Sequence, residues 1–228
     1  MGMGIEARHR MAKRAAKEIQ PGMVVNLGIG IPSLIPNYLP STEGILFQAE
    51  NGILGMGPSP IKGEEDAHLC NAAGFPVTLL PGGSYFDSSI AFGIIRKGKI
   101  DITVLGALQV SQKGDLANWI VPGKRVPGIG GAVELAAKAK KVVVVMSHTS
   151  KDGQSKIVPN CTLPLTAKKC VDLIITEKAV FRCTSKGLEL IEIYADVTLE
   201  ELKETTNAPF VISHSLKKLG EGEVGESQ

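Results

Sequence analysis

The chain has no apolar run near the 18 or so residues that a membrane-spanning helix needs, so none of its 228 residues reads as a bilayer crossing. Arg8, Arg10, Lys13, Arg14 and Lys17 lie near the N-terminus with no apolar block after them. The expectation is therefore no secretory signal and a cytoplasmic location. Cysteine is scarce: Cys70, Cys161, Cys170 and Cys183 are irregularly spaced, with no C-x-x-C and no H-E-x-x-H. Buried free thiols are expected, rather than disulfides or metal ligands, and no metal. Aromatic residues are only 4% and the net charge is +2. Residues 220–228 hold Glu221, Glu223 and Glu226 and no base, so the rest sets 25 basic residues against 20 acidic ones, or +5. Neither a concentrated basic face nor aromatics for base stacking stands out, so nucleic acid is not an expected partner, and nor is a membrane. The short groups Lys124-Arg125, Lys138 to Lys141 and Lys168-Lys169 read as solvated surface, with a ligand phosphate as the lesser alternative for one of them.

What is abundant is apolar sequence, 43% of residues, in short runs broken by helical spacing. Residues 5 to 19 place Ile5, Ala12, Ala15, Ala16 and Ile19 among charges at helical intervals, and Pro21-Gly22 ends that helix. Strand-like runs follow at Met23 to Leu27, Ile45 to Ala49, Val77 to Leu80, Ile100 to Leu105, Val142 to Met146 and Leu173 to Thr176, with helical stretches such as Ser88 to Lys97 and Ala132 to Lys140 between several of them. Such alternation predicts an α/β fold on a single open, mostly parallel sheet flanked by helices. Val180 to Tyr194 reads as a hairpin about Ser185-Lys186-Gly187, and a helix at Leu199 to Thr205 and a polar tail close the chain. Without a repeat or linker, residues 1–219 read as one domain and 220–228 as an acidic, disordered tail.

The stretch Phe47-Gln48-Ala49-Glu50-Asn51-Gly52-Ile53-Leu54-Gly55 admits two readings. Asn-Gly between apolar runs signals a tight hairpin. Against it, Gly55-Met56-Gly57-Pro58-Ser59-Pro60 offers poor material for a return strand. The expectation is therefore a buried strand opening into a loop, with Glu50 at the strand's carboxyl end, where ligands bind in open α/β sheets.

Two glycine-rich loops accompany it. Asn26-Leu27-Gly28-Ile29-Gly30-Ile31-Pro32-Ser33 leaves a strand and enters a helix with Pro32 in its first turn. G-x-G with an acid 20 residues beyond Gly30 suggests a dinucleotide fingerprint, but Ser33 replaces the third glycine and Pro32 intrudes. The second loop, Val126-Pro127-Gly128-Ile129-Gly130-Gly131-Ala132-Val133-Glu134, also leads into a helix. Its glycines allow close approach to a ligand, and its N–H groups could hold a developing oxyanion; a flexible connection is the bland alternative.

These residues together resemble the B subunit of family I coenzyme A transferases, the 3-oxoacid type. The resemblance rests on Phe47 to Gly55, Asn26 to Gly30, Gly83-Ser84-Tyr85-Phe86-Asp87-Ser88, Gly114 to Trp119, Pro122-Gly123-Lys124 and Gly128 to Ala132, and runs from about Ala7 to Phe210. Ala49 departs from it, since serine is commoner there. The resemblance implies a CoA-transferase-like fold, related to that of sugar-phosphate isomerases, and a ping-pong exchange in which Glu50 attacks an acyl-CoA and becomes a glutamyl-CoA thioester. It implies backbone N–H groups of Gly131 and Ala132 for the oxyanion, and Asn26, Gly28 and Gly30 in the CoA cleft. Tyr85-Phe86-Asp87 would shape the pocket or serve only a turn. No tightly bound cofactor is implied, coenzyme A being substrate and transient adduct. The partners implied are a separate A (alpha) subunit, as heterodimer or heterotetramer, with acyl-CoA and carboxylic acid substrates. An acyl-CoA hydrolase and a non-catalytic sugar-phosphate-binding relative remain as alternatives.

Overall fold

A computed structural model describes residues 4–39, 44–123 and 128–220. Lys124-Arg125, Val126-Pro127 and the acidic tail from Glu221 lie outside them. The first half contains α1 (Ile5–Ala16), β1 (Val24–Leu27), a 3-10 helix (Ile31–Tyr38), β2 (Leu46–Ala49), β3 (Ile53–Met56), β4 (Leu79–Tyr85) and α2 (Ser88–Arg96). It continues with β5 (Ile102–Leu105), β6 (Gln109–Ser111) and β7 (Leu116–Ala117). The second half holds α3 (Ala132–Lys138), β8 (Val142–Val145), β9 (Ile157–Val158), β10 (Leu173–Ile175), β11 (Ala179–Thr184) and β12 (Gly187–Tyr194). It closes with α4 (Leu199–Thr205) and β13 (Phe210–Leu219).

Among the described residues ten strands form one open sheet in the order β13-β12-β11-β10-β8-β5-β1-β2-β3-β4. Its centre, β10-β8-β5-β1-β2, is parallel throughout, and antiparallel strands extend it on both sides. The central runs are apolar without alternation because both faces are covered. Val142 and Val144 belong to one apolar cluster with Ile95 of α2 and Leu135 of α3, while Val143 and Val145 belong to a second cluster with Met11 and Ala15 of α1. Beside this sheet β7-β6-β9 make a small three-stranded one, which the sequence does not predict because strands of two or three residues show no periodicity.

Two expectations about the strands are corrected. The first concerns Asn51-Gly52: β2 and β3 do form a hairpin, pairing Gln48 with Leu54 and Ala49 with Ile53 across the loop Glu50-Asn51-Gly52. The return strand ends at Met56, before Pro58, so the proline never enters the ladder. Gly55, at φ +82, falls where the register shifts against β4. The second is the closing polar tail, which contains the ten-residue strand β13, parallel to β12. β13 runs at the sheet's edge and buries few side chains, so its sequence lacks apolar alternation. The cysteines, expected to be buried, differ too: Cys70 is exposed, and Cys161, Cys170 and Cys183 are half-buried. Burial pushes the thiols of Cys161, Cys170 and Cys183 up to about 11, 12 and 12, which keeps them protonated at neutral pH.

No helix among the described residues is long and apolar enough to cross a membrane. His148, at the end of β8, is fully buried, with Nδ1 3.1 Å from Thr176 Oγ1 and Nε2 2.9 Å from Thr206 Oγ1. It thereby ties β8 to the end of β10 and to the C-terminus of α4. Burial, with the Lys178 charge as a smaller contribution, lowers its pKa from 6.5 to about 4. Between those values the unfolded chain binds the proton and the folded one does not, so stability is lost as pH falls through that window. We expect about 2 kcal/mol less stability at pH 5 than at pH 7 from this residue. Chemical denaturation at the two pH values measures it, and a His148→Gln variant should show a correspondingly smaller difference.

Candidate active site

The carboxyl ends of β1 and β2 open onto a cleft of about 800 Å³. Glu50, the first residue of the hairpin loop, lines it, as do Gly28 and Gly30 from the loop after β1 and Phe75 and Val77 from the long connection before β4. The loop has little freedom. Gly52 N–H donates to Ala49 O at 3.1 Å, Phe86 N–H donates to Gly52 O at 3.0 Å, and Asn51 Nδ2 donates to Cys70 O at 2.7 Å. A Cβ added at Gly52, where φ is +117, would lie 1.9 Å from Phe86 O. Only glycine fits that close approach, and it holds the backbone beside Glu50 against the end of β4.

Beneath the carboxylate runs a row of polar side chains inside otherwise apolar strands. Asn26 in β1 is paired in register with Gln48 in β2 on one side and Thr103 in β5 on the other. All three are buried, Asn26 and Gln48 each to 1% exposure. Thr103 Oγ1 donates to Asn26 Oδ1 at 3.3 Å. Asn26 Nδ2 donates to Gln48 Oε1 at 2.9 Å, to Gln48 O at 3.2 Å and to Glu50 Oε2 at 3.2 Å. A buried amide donor thus fixes one carboxylate oxygen, and among the described residues no cation pairs with the Glu50 charge.

The other oxygen faces α3. Gly131, which precedes that helix, stands so close that a Cβ there would lie 3.4 Å from Glu50 Oε1 and 3.4 Å from its Cγ. The Gly131 N–H has no hydrogen-bond partner among the described residues, whereas the Ala132 N–H already donates to Ile129 O at 3.4 Å. Of the two backbone donors expected, Gly131 is therefore the better placed. Asn26, expected in the cleft wall, is instead beneath it, and Gly28 and Gly30 are in the wall. Asp87 takes the turn role: its carboxylate accepts from Ser89 N at 2.8 Å and Ile90 N at 3.2 Å to cap α2. Gln48 and Thr103 do not stand out in the sequence. The signal there is one polar residue in each of three short apolar runs, but only the strand register reveals that they are neighbours.

A profile of the family described as Coenzyme A transferase matches residues 8–205. The chain belongs to the coenzyme A transferase family. A Bacillus subtilis (strain 168) protein named as the beta chain of a probable coenzyme A transferase is 63% identical over 212 residues, covering 93% of this chain and 98% of that one. A Helicobacter pylori (strain J99 / ATCC 700824) protein named as the B chain of a succinyl-CoA:3-ketoacid coenzyme A transferase is 48% identical, covering 90% of this chain and 99% of that one. The mouse mitochondrial succinyl-CoA:3-ketoacid coenzyme A transferase 2B is 52% identical over 93% of this chain but only 41% of its own length. This coenzyme A transferase chain thus matches the full length of bacterial B or beta subunits and about two fifths of the mitochondrial protein. Among solved structures, an acyl-CoA transferase apoenzyme from Escherichia coli O157:H7 superposes with a TM-score of 0.78 at 24% identity, over 96% of this chain and 44% of that one. The decarboxylase AibA/AibB superposes with a TM-score of 0.69 at 18% identity, covering 94% and 89%. At such identities the likeness speaks for the fold alone, and the pairing of a transferase with a decarboxylase illustrates that this scaffold hosts different chemistry.

Proposed function

We propose that the chain is the catalytic B subunit of a coenzyme A transferase that moves CoA between an acyl-CoA and a carboxylic acid through a covalent adduct on Glu50. The observation that carries the reading is the Glu50 carboxylate at the cleft, with Oε2 held by Asn26 and Oε1 beside Gly131. Oε1 attacks the thioester carbonyl, whose oxygen becomes anionic next to the Gly131 N–H; a donor of this kind contributes about 3 to 4 kcal/mol when it meets the charge. Collapse expels the CoA thiolate and leaves a mixed anhydride. The thiolate returns to the glutamyl carbonyl, releasing the acyl group as a carboxylate and leaving a glutamyl-CoA thioester. An incoming acid then takes CoA by the same steps reversed, which restores Glu50.

The anhydride survives only where water is kept out. Ile29, Tyr85, Ile129 and Val133 are exposed on the segments that surround or adjoin Glu50, at 65%, 60%, 37% and 37%. An apolar rim of that kind fits cover by a second polypeptide, and relatives of matching length are named as beta or B subunits. We therefore assign it to an A subunit, in an assembly of one or two AB pairs, with Gly28 and Gly30 along the CoA path. Residues 1–219 then act as one domain. Incubation of the purified AB complex with acyl-CoA and no acceptor acid should add the mass of CoA to a peptide containing Glu50, and an acid should remove it. The chain without its partner should exchange CoA at less than about a hundredth of the rate of the complex. A CoA-loaded peptide elsewhere in the chain, or free CoA released at the full rate without acceptor, would overturn the reading, the latter in favour of a hydrolase.

A further inference from the structure

The Gly131 N–H has a rival acceptor within its own helix. Gly131 caps the start of α3 and brings no side chain to the cap, and Glu134 stands three residues on, in the first turn. A glutamate at that spacing commonly folds back to accept from the N–H of the capping residue, closing a capping box. In this chain the box is open. The Gly131 N–H has no hydrogen-bond partner among the described residues, although Glu50 Oε1 lies close by.

Glu134 is occupied elsewhere. Arg96, the last residue of α2, donates to Glu134 Oε1 from Nε at 2.9 Å and from a terminal guanidinium nitrogen at 2.7 Å. Its guanidinium carbon lies 5.7 Å from the ring centroid of Phe92, one turn back in the same helix. The second carboxylate oxygen, Glu134 Oε2, is buried without a hydrogen-bond partner among the described residues. The carboxylate is thus held by α2 rather than by its own helix. The α2 helix is itself fixed at its start, where Asp87 caps it directly after the Phe86 N–H that donates to Gly52 O. The Arg96 side chain is 59% exposed and that of Glu134 30%, and an ion pair so open to water adds little to stability. Its effect is on which acceptor the Gly131 N–H meets. An ionised carboxylate bonds an N–H more strongly than a neutral acceptor does, and an N–H taken by Glu134 would be lost to the thioester oxygen.

We propose that Arg96 is a positioning residue that keeps the oxyanion donor open, by holding the Glu134 carboxylate off the Gly131 N–H. The inference rests on the transferase reading given above. It is tested in the complete AB enzyme, with the rate constant for loading CoA onto Glu50 at saturating acyl-CoA as the readout and KM measured alongside. Arg96→Met frees Glu134 to close the capping box and should slow loading about ten-fold at nearly constant KM, because the N–H is needed when the oxygen turns anionic. Thermal unfolding should stay in place, since Arg96 is at the surface. Adding Glu134→Ala to Arg96→Met removes the competitor and should bring loading back to within about two-fold of the parent, a repair that a second truncation could not make to a lost structural tie. Adding Glu134→Gln instead separates occupancy from charge. Glutamine is neutral but closes the same capping box, so this double variant should remain about three-fold or more below the parent. Full restoration by glutamine would mean that Arg96 acts through its charge alone, and would overturn the inference while exchange itself stands. Loading by Arg96→Met at the parent rate, or a loss that Glu134→Ala leaves unrepaired, would overturn it equally. Parent enzyme that acquires no CoA on Glu50 would overturn the transferase reading and this inference with it.

Discussion

Glu50→Gln is expected to lower CoA exchange by about 10⁴-fold or more while leaving the fold intact. The substitution preserves volume, and an amide oxygen can still accept the hydrogen bond that Asn26 Nδ2 gives to Oε2 at 3.2 Å. What is lost is the second anionic oxygen, the one beside Gly131, and a neutral amide is a poor nucleophile toward a thioester. Thermal unfolding should therefore match the parent protein, and mass spectrometry should find no CoA on the hairpin peptide. Because the loss is of a bond-forming atom, it should appear in the single-turnover loading step and not only in KM. A variant retaining a tenth of the parent rate would remove Glu50 from the chemistry.

The second large effect is on stability. In Gly52→Ala the new methyl would sit 1.9 Å from the Phe86 carbonyl oxygen, a backbone atom that cannot rotate aside, at a φ of +117 that alanine avoids. The hairpin loop must lift off β4, which breaks the Phe86 to Gly52 hydrogen bond and displaces Glu50 from Asn26. We expect a loss of about 2 to 4 kcal/mol, or roughly 5 to 15 °C in the unfolding midpoint, with exchange falling as well. Gly63→Ala separates the two causes. Gly63 has a similar φ, +96, but nothing lies within 4 Å of its Cβ position. That variant should lose only about 1 kcal/mol. Equal melting of the two variants would refute the claim that packing against Phe86 holds the loop.

The legible parts of the fold are those in which local pattern and tertiary environment agree. Val142 to Val145 reads as a doubly covered strand because it is one, and α4 coincides with the predicted helix at Leu199–Thr205, where Thr198 accepts from Glu201 N as its cap. The β2-β3 hairpin is hidden because the glycines and prolines downstream argue against a long return strand, yet four residues suffice when β4 completes the other side. A hairpin and a Glu50 in the cleft are in any case no alternatives, since the three-residue hairpin loop at the sheet's carboxyl edge presents Glu50 directly to it. The family is legible from ordered motifs. The hydrogen bonds that join Asn26 to Thr103, Gln48 and Glu50 are not, because they depend on the register of β1, β2 and β5, which are up to 77 residues apart in the chain.

That register has a consequence for moving this chemistry elsewhere. The Glu50-Asn51-Gly52 loop is short and locally hydrogen-bonded, which makes it tempting as a portable element. Its carboxylate, however, is aimed by an asparagine on the neighbouring strand that is itself oriented by a threonine on the next. A transplanted hairpin would bring the acid and leave the aim behind. The smallest transferable unit is three adjacent parallel strands with one polar side chain each at matching depth, together with the glycine turn before α3.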